Sequence, residues 1–257
     1  MAGASVSRVD DRIAEARRLL AEASRVVVLT GAGISTDSGI PDFRGPNGVW
    51  TKDPEAEKLA TLHHYVSDPA VRAKAWRRRL ETLATTYEPN AGHHALVRLE
   101  RRGSLDTLIT QNVDGLHLAA GTSPDKLVEV HGATRDVMCL DCDDRAPIEA
   151  ALERVRAGEE DPACRSCGGI LKTATISFGQ GLIPDDLARA DAAARRADLM
   201  LAVGTTLGVY PVAGVVPLAK SQGAPVVIVN GGPTEMDDLA DVRLEGPISE
   251  LLPAIVG

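Results

Sequence analysis

Aromatic side chains are scarce in this chain: two Trp, three Tyr and two Phe make up 3% of 257 residues, so the core must be mainly aliphatic. Positive charge is also in deficit. Asp and Glu number 36 against 28 Lys and Arg, a formal net charge of −8, which argues against nucleic acid as the main partner. A surface of that sign chiefly keeps a protein soluble. No stretch approaches the ~20 consecutive apolar residues of a membrane span, and residues 1–8 lack the apolar centre of a signal peptide. These deficits predict a cytoplasmic protein with no membrane partner. Internal repeats and low-complexity tracts are missing too. Cysteine is limited to four residues, all between positions 139 and 167.

What is present suits a large soluble domain with a small satellite. Arg25-Val-Val-Val-Leu29 is a short apolar run that reads as a buried strand. It enters a loop with glycines at 31, 33 and 39. Gly31 and Gly33 allow a ligand to approach the backbone. A strand feeding such a loop and then a helix N-terminus is how α/β proteins hold a dinucleotide pyrophosphate. The pattern departs from G-x-G-x-x-G, because Thr36 stands at the third position. Just beyond, Gly39-Ile-Pro-Asp-Phe-Arg44 places an aromatic ring and a guanidinium within reach of a bound ligand.

Upstream, residues 8–23 carry Ile13, Ala16 and Leu20 on one helical face, with Ser7 as the predicted N-cap. Pro46-Asn-Gly48 signals a turn, and charged, helix-favouring sequence follows through Glu55-Ala-Glu-Lys58 and Ala73 to Glu81. Arg77, Arg78 and Arg79 read there as a solvated face. Pro89-Asn90 opens another helix. Strands follow at Leu105–Thr110, Leu127–Val130, Asp198–Val203 and Val226–Val229, with a short last one at Asp241–Leu244. A helix is predicted from Pro184 to Ala197, with Asp185 and Asp186 at the favourable end of its dipole. Strands alternate with helices, so the sheet is predicted to be parallel and doubly wound. Several strands end in polar residues, where open α/β sheets bind ligands.

The cysteines form Cys139-x2-Cys142 and Cys164-x2-Cys167, followed by Gly168-Gly169. Two such pairs suit one tetrahedral Zn²⁺. Disulfides are disfavoured in a cytosolic chain. Four thiolates leave the metal no open position, so its predicted role is structural.

With these motifs in order, the chain resembles the sirtuins, the NAD-dependent protein-lysine deacylases. The resemblance rests on Gly31-Ala-Gly-Ile-Ser35, Gly39-Ile-Pro-Asp-Phe-Arg44, Pro89-Asn90, Thr110-Gln-Asn-Val-Asp-Gly-Leu-His117, Val130-His-Gly132, the four cysteines, Phe178-Gly179, Gly204-Thr-Thr-Leu207 and Asn230. It implies an α/β fold: a Rossmann-like doubly wound parallel sheet formed by residues 1–46, 89–134 and 174–257. A smaller domain would combine the helical insert 47–88 with the zinc-binding module 135–173. It implies that NAD, as co-substrate, meets Gly31, Ala32, Gly33, Thr36, Phe43, Arg44, Gln111, Asn112, Val113, Asp114, Gly204, Thr205, Thr206, Asn230, Gly231 and Ala240. The acyl-lysine protein or peptide would meet Ile176, Phe178 and Val209. His131 would be the general base on a ribose hydroxyl, a role its near-neutral pKa suits, and Asn112 would position the ribose and a water. The products implied are free lysine, nicotinamide and O-acyl-ADP-ribose, with no hydride moved. The competing readings are a protein ADP-ribosyltransferase on the same scaffold, ranked lower because His131 is present, and a non-catalytic sensor of NAD or ADP-ribose, against which the complete Gln111–Asp114 and His131 set argues.

Departures from the family pattern cluster near the acyl end. Family members commonly read Arg-Pro-x-Val-Val-x-Phe-Gly-Glu where this chain has Lys172-Thr-Ala-Thr-Ile-Ser-Phe-Gly-Gln180. Members that remove succinyl or malonyl groups share a Tyr-x-x-Arg pair on the insert; here Trp76 and Arg79 have that spacing. With Trp76 packed and Arg79 solvated, neutral acyl groups, acetyl first, are expected to be removed faster than succinyl. His63, His64, His93, His94 and His117 read as structural or surface residues. Phe43 and Phe178 lie outside every predicted core element, which favours cleft positions.

Overall fold

The computed structural model describes residues 3–43, 45, 48–53 and 56–257. The strands are β1 (Val26–Thr30), β2 (Leu105–Thr110), β3 (Leu127–Glu129), β4 (Gly132–Cys139), β5 (Arg145–Pro147), β6 (Leu171–Thr175), β7 (Leu199–Val203), β8 (Val226–Asn230) and β9 (Val242–Glu245). The helices are α1 (Gly3–Glu22), α2 (Val49–Lys52), α3 (Ala56–Leu59), α4 (Leu62–Ser67), α5 (Pro69–Leu83), α6 (Ala91–Arg101), α7 (Leu116–Ala120), α8 (Glu149–Arg156), α9 (Pro184–Arg196), α10 (Val215–Ser221) and α11 (Ile248–Val256).

Six strands pair in the order β3-β2-β1-β7-β8-β9, every neighbour parallel. Alternation along β1 explains why both faces are covered. Val26 and Val28 join a core with Ala16, Leu20, Leu96, Leu99 and Leu252, which brings α1, α6 and α11 to one face. Val27 and Leu29 point the other way, into a core with Ala190, Ala193, Val215 and Val216 from α9 and α10. The chain runs outward from β1 to β3 and returns on the other side of β1 at β7. The strand order therefore reverses between β1 and β7, and the crevice at their carboxyl ends is the expected ligand site of such a sheet.

A second sheet, β5-β4-β6, is antiparallel. Its core contains Val137, Ile148, Leu152, Cys139 and Cys164, and it also takes in Trp76 from α5. Tyr65 Oη in α4 donates to the Leu171 carbonyl at 2.8 Å, and Arg72 pairs with Asp161 at 2.7 Å. The helical segment and the cysteine module, far apart in sequence, thus share one apolar core.

The structure differs from the sequence expectations in definite places. α1 begins at Gly3, so Ser7 lies inside the helix and does not cap it. The glycine loop leads into a 3₁₀ segment, Ala32–Ser38, closed by Gly39 at φ 90°, where an α-helix was expected. Its Ser, Thr and Asp side chains compete for backbone groups and weaken an α-helix there. α7, α8, α10, α11 and the second sheet add elements that the periodicity did not single out. Of the predicted turn and insert start, Pro46, Asn47 and Glu55 lie outside the described residues. Among the described residues, no helix is long and apolar enough to cross a membrane.

Candidate active site and metal centre

A cavity of about 1440 Å³ opens at the reversal point between β1 and β7. It exceeds the usual size of a small-ligand pocket, roughly 300–1,000 Å³. Of the residues expected to meet NAD, Gly31, Ala32, Gly33, Thr36, Phe43, Gln111, Asn112, Val113, Asp114, Gly204, Thr205, Thr206, Asn230 and Gly231 line it. So do His131, Ile176, Phe178 and Val209. Two expected residues are not among them. Ala240 packs against the core behind β7 and β8, and Arg44 lies outside the described residues.

Backbone contact between two loops shapes the floor. Gly31 N–H donates to the Val203 carbonyl at 3.0 Å and Gly33 N–H to the Gly204 carbonyl at 2.8 Å. A Cβ on Gly33 would sit 2.8 Å from Gly204 Cα, and one on Gly204 would sit 2.7 Å from the Gly33 carbonyl carbon. Gly204 also has φ +62°, a region that side chains other than Gly rarely adopt. Gly204→Ala is therefore expected to lose roughly 1–3 kcal/mol of stability and to weaken dinucleotide binding. Denaturant melts and calorimetric titration with ADP-ribose check both; wild-type values in both would refute the close-approach argument.

The polar wall is a connected network. Asn112 Nδ2 donates to the Gly31 carbonyl at 3.1 Å and to Ser35 Oγ at 3.3 Å. Ser35 Oγ donates to Asp114 Oδ2 at 2.7 Å, and Asp114 Oδ1 accepts the Leu116 N–H at 2.9 Å. Both carboxylate oxygens of Asp114 are thereby fixed. Gln111 Nε2 reaches Thr205 Oγ1 at 3.0 Å, tying the ends of β2 and β7 together. Ser35 was visible in the sequence only as part of its motif; its pairing with Asp114 needed the fold.

His131 lies 3.1 Å through Nδ1 from the Gln111 carbonyl. A carbonyl only accepts, so the proton of the neutral ring sits on Nδ1 and the lone pair on Nε2. Burial pulls the His131 pKa below its ordinary 6.5, partly opposed by the Gln111 carbonyl. The ring is thus a neutral base at pH 7. Behind it, a Cβ at Gly132, φ +71°, would collide with the Ala174 carbonyl, so the β4–β6 contact that backs His131 requires glycine there.

The far wall was less legible. Trp76 is packed, 2% exposed, as expected. Arg79, expected in solvent, instead lines the cavity half-buried, and burial lowers its pKa. α5 packs against the module with Trp76, and its next turn faces the same way. Among the described residues Arg79 has no carboxylate partner within 4.0 Å. Lys172 is a second buried cation on this wall. Its Nζ donates to the carbonyls of Thr173 and Thr175, and burial with the Arg79 charge brings its pKa down to about 8.

The four cysteines converge at the other end of the module. Their Sγ atoms all lie within 4.8 Å of one another, with Cys139–Cys167 at 3.5 Å and Cys142–Cys164 at 3.8 Å. A Zn–S length of ~2.3 Å in a tetrahedron requires S···S edges of about 3.8 Å. Asp141 N–H points to Cys139 Sγ and Gly169 N–H to Cys167 Sγ, both at 3.4 Å, which stabilises thiolate charge at each knuckle. Gly168 takes φ +76° in the second knuckle. The donor set fits one structural Zn²⁺.

The sequence model described as "Sir2 family" matches residues 31–211. NAD-dependent protein deacetylase 2 of Streptomyces coelicolor is 50% identical over 231 residues, covering 90% of this chain and 96% of that protein. NAD-dependent protein deacylase 2 of Archaeoglobus fulgidus is 38% identical, covering 96% of each. Among solved structures, one of a Sir2 enzyme superposes with a TM-score of 0.86 at 38% identity, covering 96% of this chain and 97% of that one. Another, a Sir2 variant with a deacetylated p53 peptide and 3'-O-acetyl-ADP-ribose, gives a TM-score of 0.85 at 32% identity, covering 95% and 96%. The floor glycines, the Asn112–Ser35–Asp114 network, His131 and the four-thiol centre all lie on a chain that belongs to the Sir2 family.

Proposed function

We propose that this chain is an NAD-dependent protein-lysine deacylase, removing acetyl or other short acyl groups to give nicotinamide and O-acyl-ADP-ribose. The observation that carries this is His131, a neutral base whose Nε2 has no hydrogen-bond partner among the described residues, in the same cavity as the glycine floor and the Asn112–Asp114 wall. Bound NAD supplies a ribose whose anomeric carbon carries a nicotinamide leaving group. Gly31 and Gly33 admit the diphosphate close to the backbone, and Gly204, Thr205, Thr206, Asn230 and Gly231 face the adenosine half. Val113 and Asp114 hold the nicotinamide amide, and Asn112 orients the ribose. Ile176, Phe178 and Val209 guide the acyl-lysine. His131 Nε2 takes a proton from a ribose hydroxyl.

We read residues 1–46, 89–134 and 174–257 as the NAD-binding domain, and 47–88 with 135–173 as the small domain; the core shared by Trp76 and the cysteine module supports the pairing. Four thiols poised for a metal suit a reducing, cytoplasmic compartment. Incubation with NAD and an acetyl-lysine peptide, read by mass spectrometry, tests the activity. A lighter peptide is expected. A heavier protein would favour ADP-ribosyl transfer, and no change in either would favour a sensor.

Acyl choice is where the structure alters the expectation. An Arg79 on the cavity wall, with no carboxylate partner among the described residues, removes one argument against carboxylate-bearing acyl groups. Trp76 still offers no hydroxyl to complete a carboxylate site, so acetyl-lysine is expected to remain the better substrate. Arg79→Met should lower kcat/KM for a succinyl-lysine peptide about tenfold, the scale of one charge-assisted hydrogen bond, and leave acetyl-lysine nearly unchanged. Equal effects on both peptides would show that Arg79 does not meet the acyl end.

A further inference from the structure

His93 in α6 and His117 in α7 lie behind the cavity wall, 0% and 2% exposed, with ring centroids 5.0 Å apart. Their hydrogen bonds fix both tautomers. His93 Nδ1 accepts the Asn90 N–H at 3.3 Å, so its neutral ring carries the proton on Nε2. Thr30 Oγ1 gives its single proton to Thr110 Oγ1 at 2.8 Å. His117 Nε2, 2.9 Å from Thr30 Oγ1, must then be the donor in that contact and carry its own ring proton. His93 Nε2 and His117 Nδ1 are left buried with no hydrogen-bond partner among the described residues, each other included, while the two rings pack at 57° to one another. Burial keeps both rings neutral, with pKa values down to about 4 for His93 and about 3 for His117.

Each ring ends an arm that reaches the site. From His93 the arm passes through Asn90, whose Nδ2 donates to the Ile34 carbonyl at 2.7 Å and to Ser38 Oγ at 3.0 Å. Both acceptors belong to the 3₁₀ segment of the glycine loop. From His117 the arm passes through Thr30 to Thr110 Oγ1, which accepts the Asn112 N–H at 3.1 Å. All the donors point in compatible directions only while both rings stay Nε2–H and neutral. A second proton on His93 would face the Asn90 N–H, and one on His117 Nδ1 would be buried with no acceptor among the described residues.

We propose that His93 and His117 are a pair of positioning residues whose packed, neutral Nε2–H rings tie the glycine loop to Asn112 through these two arms. Neither touches the reacting atoms. The pair sets the relative placement of the two walls between which the dinucleotide lies. The inference rests on the proposed use of the cavity for NAD, and is independent of deacylation.

Imidazole nitrogen NMR on the intact protein reads the tautomers directly. Both rings are expected as neutral Nε2–H forms from pH 5 to 8. An Nδ1–H tautomer or a charged ring at pH 6 for either residue would overturn the proposal. The second arm compares His117→Leu with His117→Gln, whose carboxamide N–H can replace Nε2–H toward Thr30. Calorimetry with ADP-ribose should show binding weakened about tenfold or more in the Leu variant, the scale of an unsatisfied buried group, and largely restored in the Gln variant. Equal ADP-ribose affinity in all three proteins, with stability alone reduced, would make the pair merely structural and sink the idea. Should affinity change as expected while the wild type shows no deacylation, the pair stands and the deacylase reading falls.

Discussion

His131→Ala is expected to cut peptide deacylation by ~10²-fold or more, the usual scale of general-base catalysis, while leaving NAD binding nearly intact. Among the described residues the ring's one hydrogen bond to the protein runs from Nδ1 to the Gln111 carbonyl, which the variant leaves to water or a neighbouring donor. The glycine floor and the Asn112–Asp114 network do not depend on it. The effect should therefore fall on kcat, with little change in the NAD dissociation constant. pH adds a second signature. Protonated His131 has no lone pair at Nε2, so kcat/KM falls on the acid side. Because burial lowers its pKa below 6.5, that fall should lie below pH 6.5 in the free enzyme, and activity should be full above it. In His131→Ala this limb should vanish. A variant with near-wild-type turnover, or one retaining the limb, would remove His131 from the mechanism.

Cys164→Ser is expected to be the most damaging change outside the cavity. Structural zinc sites bind with apparent free energies of about 10–16 kcal/mol in small metal-folded peptides at pH 7, and a small module without its metal has little core to fall back on. Cys139 and Cys164 are buried in the core that also holds Trp76 and Leu152, so loosening the thiolate cluster should also loosen α5. Wild-type protein should contain one zinc per chain. The variant should hold far less, melt at lower temperature and become protease-sensitive in both 135–173 and 47–88. Protein purified without chelators that contains no zinc, yet melts as sharply as before, would refute the assignment.

The elements that the sequence disclosed were those whose cause is local. Val26 to Leu29 alternate between two cores, and a parallel strand buried on both faces has to be apolar throughout. The cysteine centre was legible because a knuckle is a short-range geometry. Arg79 was misread because helical spacing reveals which residues share a face but not whether that face meets water or a cavity. Trp76 was placed correctly in the interior, and Arg79 follows it one turn on. The 3₁₀ segment was taken for a helix because glycines suggested the loop, whereas Ser35, Thr36, Asp37 and Ser38 decide what comes after it. His93 and His117 could not be paired from sequence, since their meeting depends on the packing of α6 beside α7.

The mutual approach of Gly33 and Gly204 also constrains how this sequence can drift. Each occupies the space that a methyl on the other would need, and the obstructing atoms are backbone on both sides. Trimming a neighbouring side chain cannot make room, and substituting both positions adds volume twice to one gap. Any mutational path that starts by changing either glycine therefore begins at a deficit that no change at the other can repair. A library built to alter ligand choice should leave both fixed and diversify Phe43 and Val209, where the cavity wall is made of side chains.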